Sequence, residues 1–205
     1  MIAQTTAEKI LSRHCGRTLR AGDFAVCKVD FTFGQDGTSS IIIDRINELG
    51  VKNLKTEFCM VIDHSAPSPS VGVSRVHQKM RDFSKIFKTK IFDIGCGVCH
   101  QVIPESGRVL PGDLVLGADS HTCTYGAIGA FSTGVGSTDL AITLATGKNW
   151  FRVPATIKII VKGRLAKGVF AKDIILHIIG KLKSDGATYK AVEFSGPVID
   201  NMGMD

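Results

Sequence analysis

Three times between residues 24 and 148, a run of strand-forming residues gives way to a turn-rich loop and then to apolar side chains at helical spacing. A chain that alternates in this way pairs its strands mostly in parallel, since each helix carries it back across the sheet, and such a sheet needs cover on both faces. The first unit runs from FAVCKVDFTF at 24–33 through Gly34, Gln35, Asp36 and Gly37 into Ile41, Ile42, Ile43, Ile46 and Leu49, closed by Gly50. The second joins FCMVID at 58–63, past Pro67 and Pro69, to Val73, Val76, Met80, Phe83, Ile86 and Phe87. KIFDI at 90–94 adds a strand that leads into Gly95. DLVLGAD at 113–119 then empties into a glycine-rich loop before the helical stretch TDLAITLATGK at 138–148. Ahead of them all, Thr5 and Glu8 are spaced as a capping box for a helix carrying Ala7, Ile10, Leu11 and His14, stopped by Gly16.

After Trp150 the texture changes. Pro154 introduces ATIKIIVKG, which alternates like a strand with one wet face; Asp173 is placed to cap a helix through Lys183, and YKAVEFSG at 189–196 reads as a further strand. The expected architecture is a three-layer α/β/α domain over residues 1–153 with a mostly parallel sheet, followed at 154–205 by the beginning of a second α/β domain, cut short. A hydrophobic share of 44% is ample for that core. No run of about 18 apolar residues occurs and no apolar stretch follows the first charges, so neither a membrane span nor a secretory signal is expected, and the location is read as cytoplasmic. Six cysteines, at 15, 27, 59, 96, 99 and 123, lack the density of a disulfide scaffold and are read as reduced thiols. The net charge of +6 suits an anionic substrate, a nucleic acid or an acidic partner equally.

In open α/β sheets, ligands bind beyond the carboxyl ends of the strands, where loops converge and helix amino termini point their amides. Polar side chains gather at those ends here. Gln35 and Asp36 follow the first strand, Asp63 and His64 end the second, His100 lies past the third, and Asp119, Ser120 and His121 end the fourth. A single Asp-His pair at a strand end is usually a satisfied loop pair, but repetition at successive exits points to a site. A carboxylate beside an imidazole fixes its tautomer and raises its pKa, as a proton donor at neutral pH requires.

The stretch GADSHTCTYGAIGAFSTGVGSTD at 117–139 combines glycines that permit close backbone approach with the hydroxyls of Ser120, Thr122 and Thr124. Its spacing fits neither GxGxxG nor a Walker loop. This stretch resembles the signature of the aconitase superfamily. The resemblance extends through Asp63 and His64, through GVCHQVIPE at 97–105 and through ATGKNWFRVPATIK at 145–158, and so covers essentially the whole chain. Within the superfamily the chain is most similar to the amino-terminal portion of the large subunit in the archaeal-type isopropylmalate dehydratase and homoaconitase branch.

That resemblance implies a hydro-lyase that isomerises a hydroxy di- or tricarboxylic acid, of the isopropylmalate or homocitrate type, by removing water and adding it back. It implies a 4Fe–4S cluster as Lewis acid, held by cysteines outside this chain, so that no metal ligand is expected here. His64 paired with Asp63 would protonate the leaving hydroxyl. His121 with Asp119, and His100 with a partner beyond this chain, would support protonation, while Ser120 and Gln35 would hydrogen-bond substrate carboxylate. Implied partners are the remainder of the large subunit and a small subunit carrying a swivelling domain. The GQDGTSS context of Gln35 is closer to aconitase itself than to the isopropylmalate branch, which leaves the acid open. The isolated chain is expected to be inactive.

Other readings use the same residues. Cys96, Cys99 and His100 spell the CxxCH of a c-type haem site, against which stands the absence of an export signal. Cys96, Cys99, His100 and Cys123 offer donors for zinc, though without paired CxxC spacing. The basic run from Arg75 to Lys90 keeps helical apolar spacing and reads as a solvated helix face, so no nucleic acid is expected. A noncatalytic fragment or assembly half would carry the same sequence.

Overall fold

The computed structural model describes residues 3–203. Its centre is a five-stranded, wholly parallel sheet of β2 (Phe31–Gln35), β3 (Glu57–Val61), β4 (Lys90–Phe92), β5 (Leu114–Gly117) and β6 (Phe131–Gly134), in the spatial order β4-β3-β2-β5-β6. Strands β2 and β3 have five and four buried residues in a row, with only Glu57 at the start of β3 exposed, as expected where both faces are covered. One face carries α1 (Thr6–Cys15), α2 (Ser39–Glu48), α3 (Val71–Phe87) and α5 (Ser137–Thr146), whose Leu11, Ile42, Ile46, Met80, Phe83, Leu140 and Leu144 pack on Phe58, Met60, Leu114 and Leu116. The opposite face is closed more thinly by α4 (Cys99–Glu105) and a 3-10 helix (Thr122–Ile128), where Ile103 and Tyr125 meet Phe31, Phe33, Cys59, Val61 and Val115. Each fully buried aliphatic or aromatic side chain contributes about 1.5–3 kcal/mol. The architecture is therefore α/β in three layers, as the alternation predicts.

Local signals explain most element ends. Thr5 Oγ1 accepts the Glu8 N–H while the Glu8 carboxylate accepts the Thr5 N–H, and Gly16 closes α1 in the left-handed conformation at φ +75°. Ser70 caps α3 through the Val73 N–H at 3.2 Å.

Several expectations are corrected. Residues 24–33 form two strands: β1 (Phe24–Lys28) pairs antiparallel with β7 (Lys148–Arg152), and the chain then crosses at Val29 and Asp30 into the main sheet as β2. The Val29 N–H bonds the Gly147 carbonyl and the Asp30 N–H the Leu114 carbonyl, so each half is satisfied by a different neighbour. The helix expected at 138–148 ends at Thr146, since Gly147 turns at φ +76° and Lys148 opens β7. The glycine-rich loop contains both the 3-10 helix and an edge strand, β6. Helix α4 was not foreseen, its pattern being short and broken by Pro104. Toward the end, β8 (Ala155–Ile160) and β9 (Lys190–Ser195) pair in parallel around α6 (Ala171–Leu182), followed by α7 (Pro197–Asp200). Asp173 lies in the first turn of α6, not at its cap, and accepts the Phe170 N–H at 2.8 Å. Helix α6 buries none of its side chains. Among the described residues no helix is long and apolar enough to cross a membrane.

Candidate functional site

Strand order decides where a crevice opens. From β2 the chain moves to β3 and β4 on one side, whereas β5 and β6 lie on the other, so connections leaving β2 and β5 diverge and part the sheet's carboxyl edge between them. Gln35 ends β2 and Asp119 follows β5 by two residues. Two glycines permit the close approach. A Cβ at Gly117 would lie 2.3 Å from the Phe33 ring and 2.4 Å from Thr122 Oγ1, and one at Gly134 would lie 2.4 Å from the Asp119 carbonyl oxygen.

Asp119 is the hub of the crevice. Its buried carboxylate accepts the His121 N–H at 2.7 Å through Oδ1, which also lies 3.1 Å from His100 Nε2 and 3.6 Å from His121 Nδ1. Its Oδ2 lies 3.4 Å from His64 Nε2 and 3.5 Å from Gln35 Nε2. Three imidazoles from three strand exits thus face one carboxylate. His100 was expected to find its partner outside this chain; within it, its nearest carboxylate is Asp119, which follows β5 by two residues. Ser120 Oγ lies 3.2 Å from His121 Nδ1, on the exposed rim. Gln35 is buried, its Oε1 accepting the Gly37 N–H.

Asp63 ties two walls together. Its Oδ1 lies 2.7 Å from His64 Nδ1, and its Oδ2 accepts the Cys99 N–H at the start of α4 at 2.5 Å. Tyr125 of the 3-10 helix, fully buried, donates its hydroxyl to the Cys99 carbonyl at 3.1 Å. His100, the next residue, is thereby fixed from both sides. Helix α4 and Tyr125 are the contributors that sequence reasoning missed; the signal was present in the tyrosine of TCTYG, which has no reason to be polar unless a buried acceptor meets it.

Partial burial pushes the His64 imidazole down, but the Asp63 hydrogen bond and charge, together with Asp119 and Asp36, outweigh it and hold its pKa above the ordinary value. Burial works against the Asp119 carboxylate, yet the His121 N–H, His100, Gln35 and His64 bring its pKa below the usual range. The crevice therefore keeps an ionised acceptor beside an imidazole inclined to carry a proton.

The aconitase family model, described as aconitate hydratase, matches residues 8–205. The chain belongs to the aconitase family. It is 51% identical over 205 residues to the 3-isopropylmalate dehydratase large subunit 1 of Thermotoga maritima, covering 100% of this chain and 49% of that protein. Its identity to the large subunit of Elusimicrobium minutum is 49%, over 98% of this chain and 48% of that protein. With the large subunit 1 of Methanopyrus kandleri it is 46%, over 99% and 49%. The chain thus spans about half the length of the curated relatives it matches.

Aconitase-family enzymes generally use a 4Fe–4S cluster, and the cysteines of this chain do not form a seat for one. Two groups of side chains are close enough to share an ion among the described residues: Asp63, His64 and Cys99, and His100, Asp119 and His121. Neither gathers three thiolates. Cys27, Cys59 and Cys99 are buried in the apolar clusters on the two faces of the sheet, and burial raises the first to about 11, the second to about 12 and the third as well. The same facts dismantle the other two readings of CGVCH. Cys99 is fully buried on the Phe33 side of the sheet, out of reach of a haem vinyl group, and the set Cys96, Cys99, His100 and Cys123 does not converge.

Proposed function

We propose that this aconitase-family chain is the amino-terminal half of a 3-isopropylmalate dehydratase large subunit and supplies the proton-handling wall of its active site. The carrying observation is the convergence of His64, His100 and His121 on Asp119 at the switch point of the sheet. On this reading residues 1–153 form the first domain and 154–205 the opening of a second. A 4Fe–4S cluster, the substrate-binding cations and the carbon base come from the rest of the large subunit and from a small subunit carrying a swivelling domain. Six free thiols fit a reducing cytoplasm.

Dehydration of a hydroxy acid breaks a C–H bond and a C–O bond, and the departing hydroxyl must gain a proton. Asp63 Oδ1 accepts the Nδ1 proton of His64, so when the ring is protonated at both nitrogens the Nε2 proton is the one that faces the crevice. At 3.4 Å, the contact of Nε2 with Asp119 is too long for a strong hydrogen bond, so that proton is free to pass to a hydroxyl. His100 and His121, whose rings face the same carboxylate, hold the water that leaves and returns. Ser120 Oγ and the amide of Gln35 bond a substrate carboxylate. A malate-type acid such as 3-isopropylmalate is preferred over homocitrate because the relatives bear that name, although the Gln35 context is shared with aconitase.

The test is an anaerobically reconstituted assembly of this chain, the polypeptide that supplies the other half of its relatives' length, and a small subunit. It should interconvert 2- and 3-isopropylmalate, and His64→Ala should lower kcat by about 100 to 10,000-fold with cluster absorbance unchanged. Conversion of homocitrate alone would reassign the substrate. Isomerisation by this chain by itself, with no cluster absorbance, would overturn the reading.

A further inference from the structure

Beside the proton-transfer groups lies a buried carboxylate that none of those steps uses. Asp36, the residue after β2, is 5% exposed and accepts three consecutive main-chain N–H groups: Asp63 at 3.1 Å and His64 at 2.9 Å on Oδ1, and Ser65 at 2.8 Å on Oδ2. Behind it, His77 of α3 is 1% exposed and brings Nε2 to 3.5 Å from Oδ2; this nitrogen has no hydrogen-bond partner. A buried carboxylate in an apolar three-layer fold is costly unless fully bonded. Three amides form that cradle with His77 packed behind it, and the turn they define is the one that carries His64.

We propose that Asp36 is the positioning residue of the crevice: its carboxylate, backed by His77, clamps the turn 63–65 so that His64 presents Nε2 to Asp119. The inference rests on the reading of His64 as proton donor. An asparagine of the same shape cannot do this. Its carbonyl oxygen can serve one side, but its NH2 then meets an N–H donor on the other, and the turn must move. Asp36 touches neither substrate nor reacting atoms on this account; it acts only through His64.

Because it acts through one residue, its effect should vanish when that residue is gone. In the assembled enzyme, Asp36→Asn should lower kcat by roughly 10 to 100-fold while KM stays within about threefold, and the same substitution on a His64→Ala background should change kcat by less than about threefold. An equal loss in both backgrounds, or a rise in KM with kcat intact, would overturn the proposal. Should the Asp36→Asn protein not fold, His77→Leu keeps the carboxylate but removes its backing; a kcat loss confined to the protein that retains His64 supports the clamp, and an equal loss in both backgrounds, or none, sinks it. Amide hydrogen exchange gives an answer independent of turnover. The N–H groups of Asp63, His64 and Ser65 should exchange at least about tenfold faster in Asp36→Asn or His77→Leu than in the parent, and unchanged exchange refutes the clamp. A parent enzyme that converts no hydroxy acid would instead remove the functional reading, leaving exchange to decide the structural one.

Discussion

Replacing Gly134 with alanine adds one methyl group at the tightest backbone contact of the crevice. The new Cβ would stand 2.4 Å from the Asp119 carbonyl oxygen, 3.4 Å from its carbonyl carbon and 3.7 Å from Ser120 Cα. Ordinary contact demands that the end of β6 or the chain at Asp119 retreat by roughly 0.6–1 Å. Asp119 cannot retreat freely, because the same oxygen accepts the Thr122 hydroxyl at 2.6 Å and its side chain faces His100 at 3.1 Å. Overpacking of this kind costs about 1–3 kcal/mol. For a chain of this size that is a fall of about 2–12 °C in Tm. Gly126 is the control, since it lies in the same segment, a Cβ there meets nothing within 4 Å, and neither glycine uses a left-handed φ. Gly126→Ala should match the parent or gain about 0.4–1 kcal/mol. Thermal unfolding followed by circular dichroism measures both. If Gly134→Ala melts with the parent, or if the two variants fall together, the close-approach argument is wrong.

Tyr125→Phe leaves the buried Cys99 carbonyl without its hydroxyl donor, so it should cost about 1–3 kcal/mol in urea unfolding and reduce turnover by loosening His100. Cys96→Ser should change neither stability nor cluster absorbance, the thiol being exposed; Cys99→Ser should lower Tm but also spare the absorbance, and loss of absorbance in either would relocate the cluster ligands. Asp36 and Asp119 have folded-state pKa values below the ordinary carboxylate range and Asp93, bonded by Arg81, sits at about 2. Their stabilisation is complete above about pH 4 and is lost as pH falls through the lower folded values. The urea midpoint should therefore drop as pH falls from about 5 toward the folded value of Asp93 at about 2. His64 has the opposite sign: its pKa is raised, so its contribution is present below about 6.5 and lost as pH climbs through the folded value, a slope that His64→Ala should flatten.

What could be read directly from the residues was whatever depended on near neighbours in sequence. The capping box of Thr5 and Glu8, the stop at Gly16 and the isoleucine stripe of α2 are local devices, and they recur in the fold as read. The break at Val29 and Asp30 was not legible, because strand-forming residues run straight through it and only the carbonyls of Gly147 and Leu114, far along the chain, divide the segment. Likewise FSTG becomes β6 by pairing with LVLG, a partner choice that four residues with a glycine cannot announce. At the site, the histidines and aspartates were visible as types at strand exits. Their pairing was not: adjacency joined Asp119 to His121 alone, whereas the sheet brings His100 closer than His121's own ring. Asp36 passed unnoticed as a clamp because its partners are backbone amides, which every sequence has.

The three imidazoles around Asp119 also set the sign of the field in the crevice. With His64 carrying its proton, the carboxylates of Asp36, Asp63 and Asp119 still outnumber it and leave this wall electronegative, and no lysine or arginine among the described residues bonds to any of the three. A doubly charged acid approaching such a surface is repelled before any hydrogen bond can form. Alone, the crevice draws cations. It becomes hospitable to a dicarboxylate only when an opposing surface brings positive charge to within a Debye length, about 8–10 Å in ordinary salt. Substrate capture would then be a property of the closed assembly, and its rate should fall with ionic strength even though every proton-transfer group it meets on this side was in place beforehand.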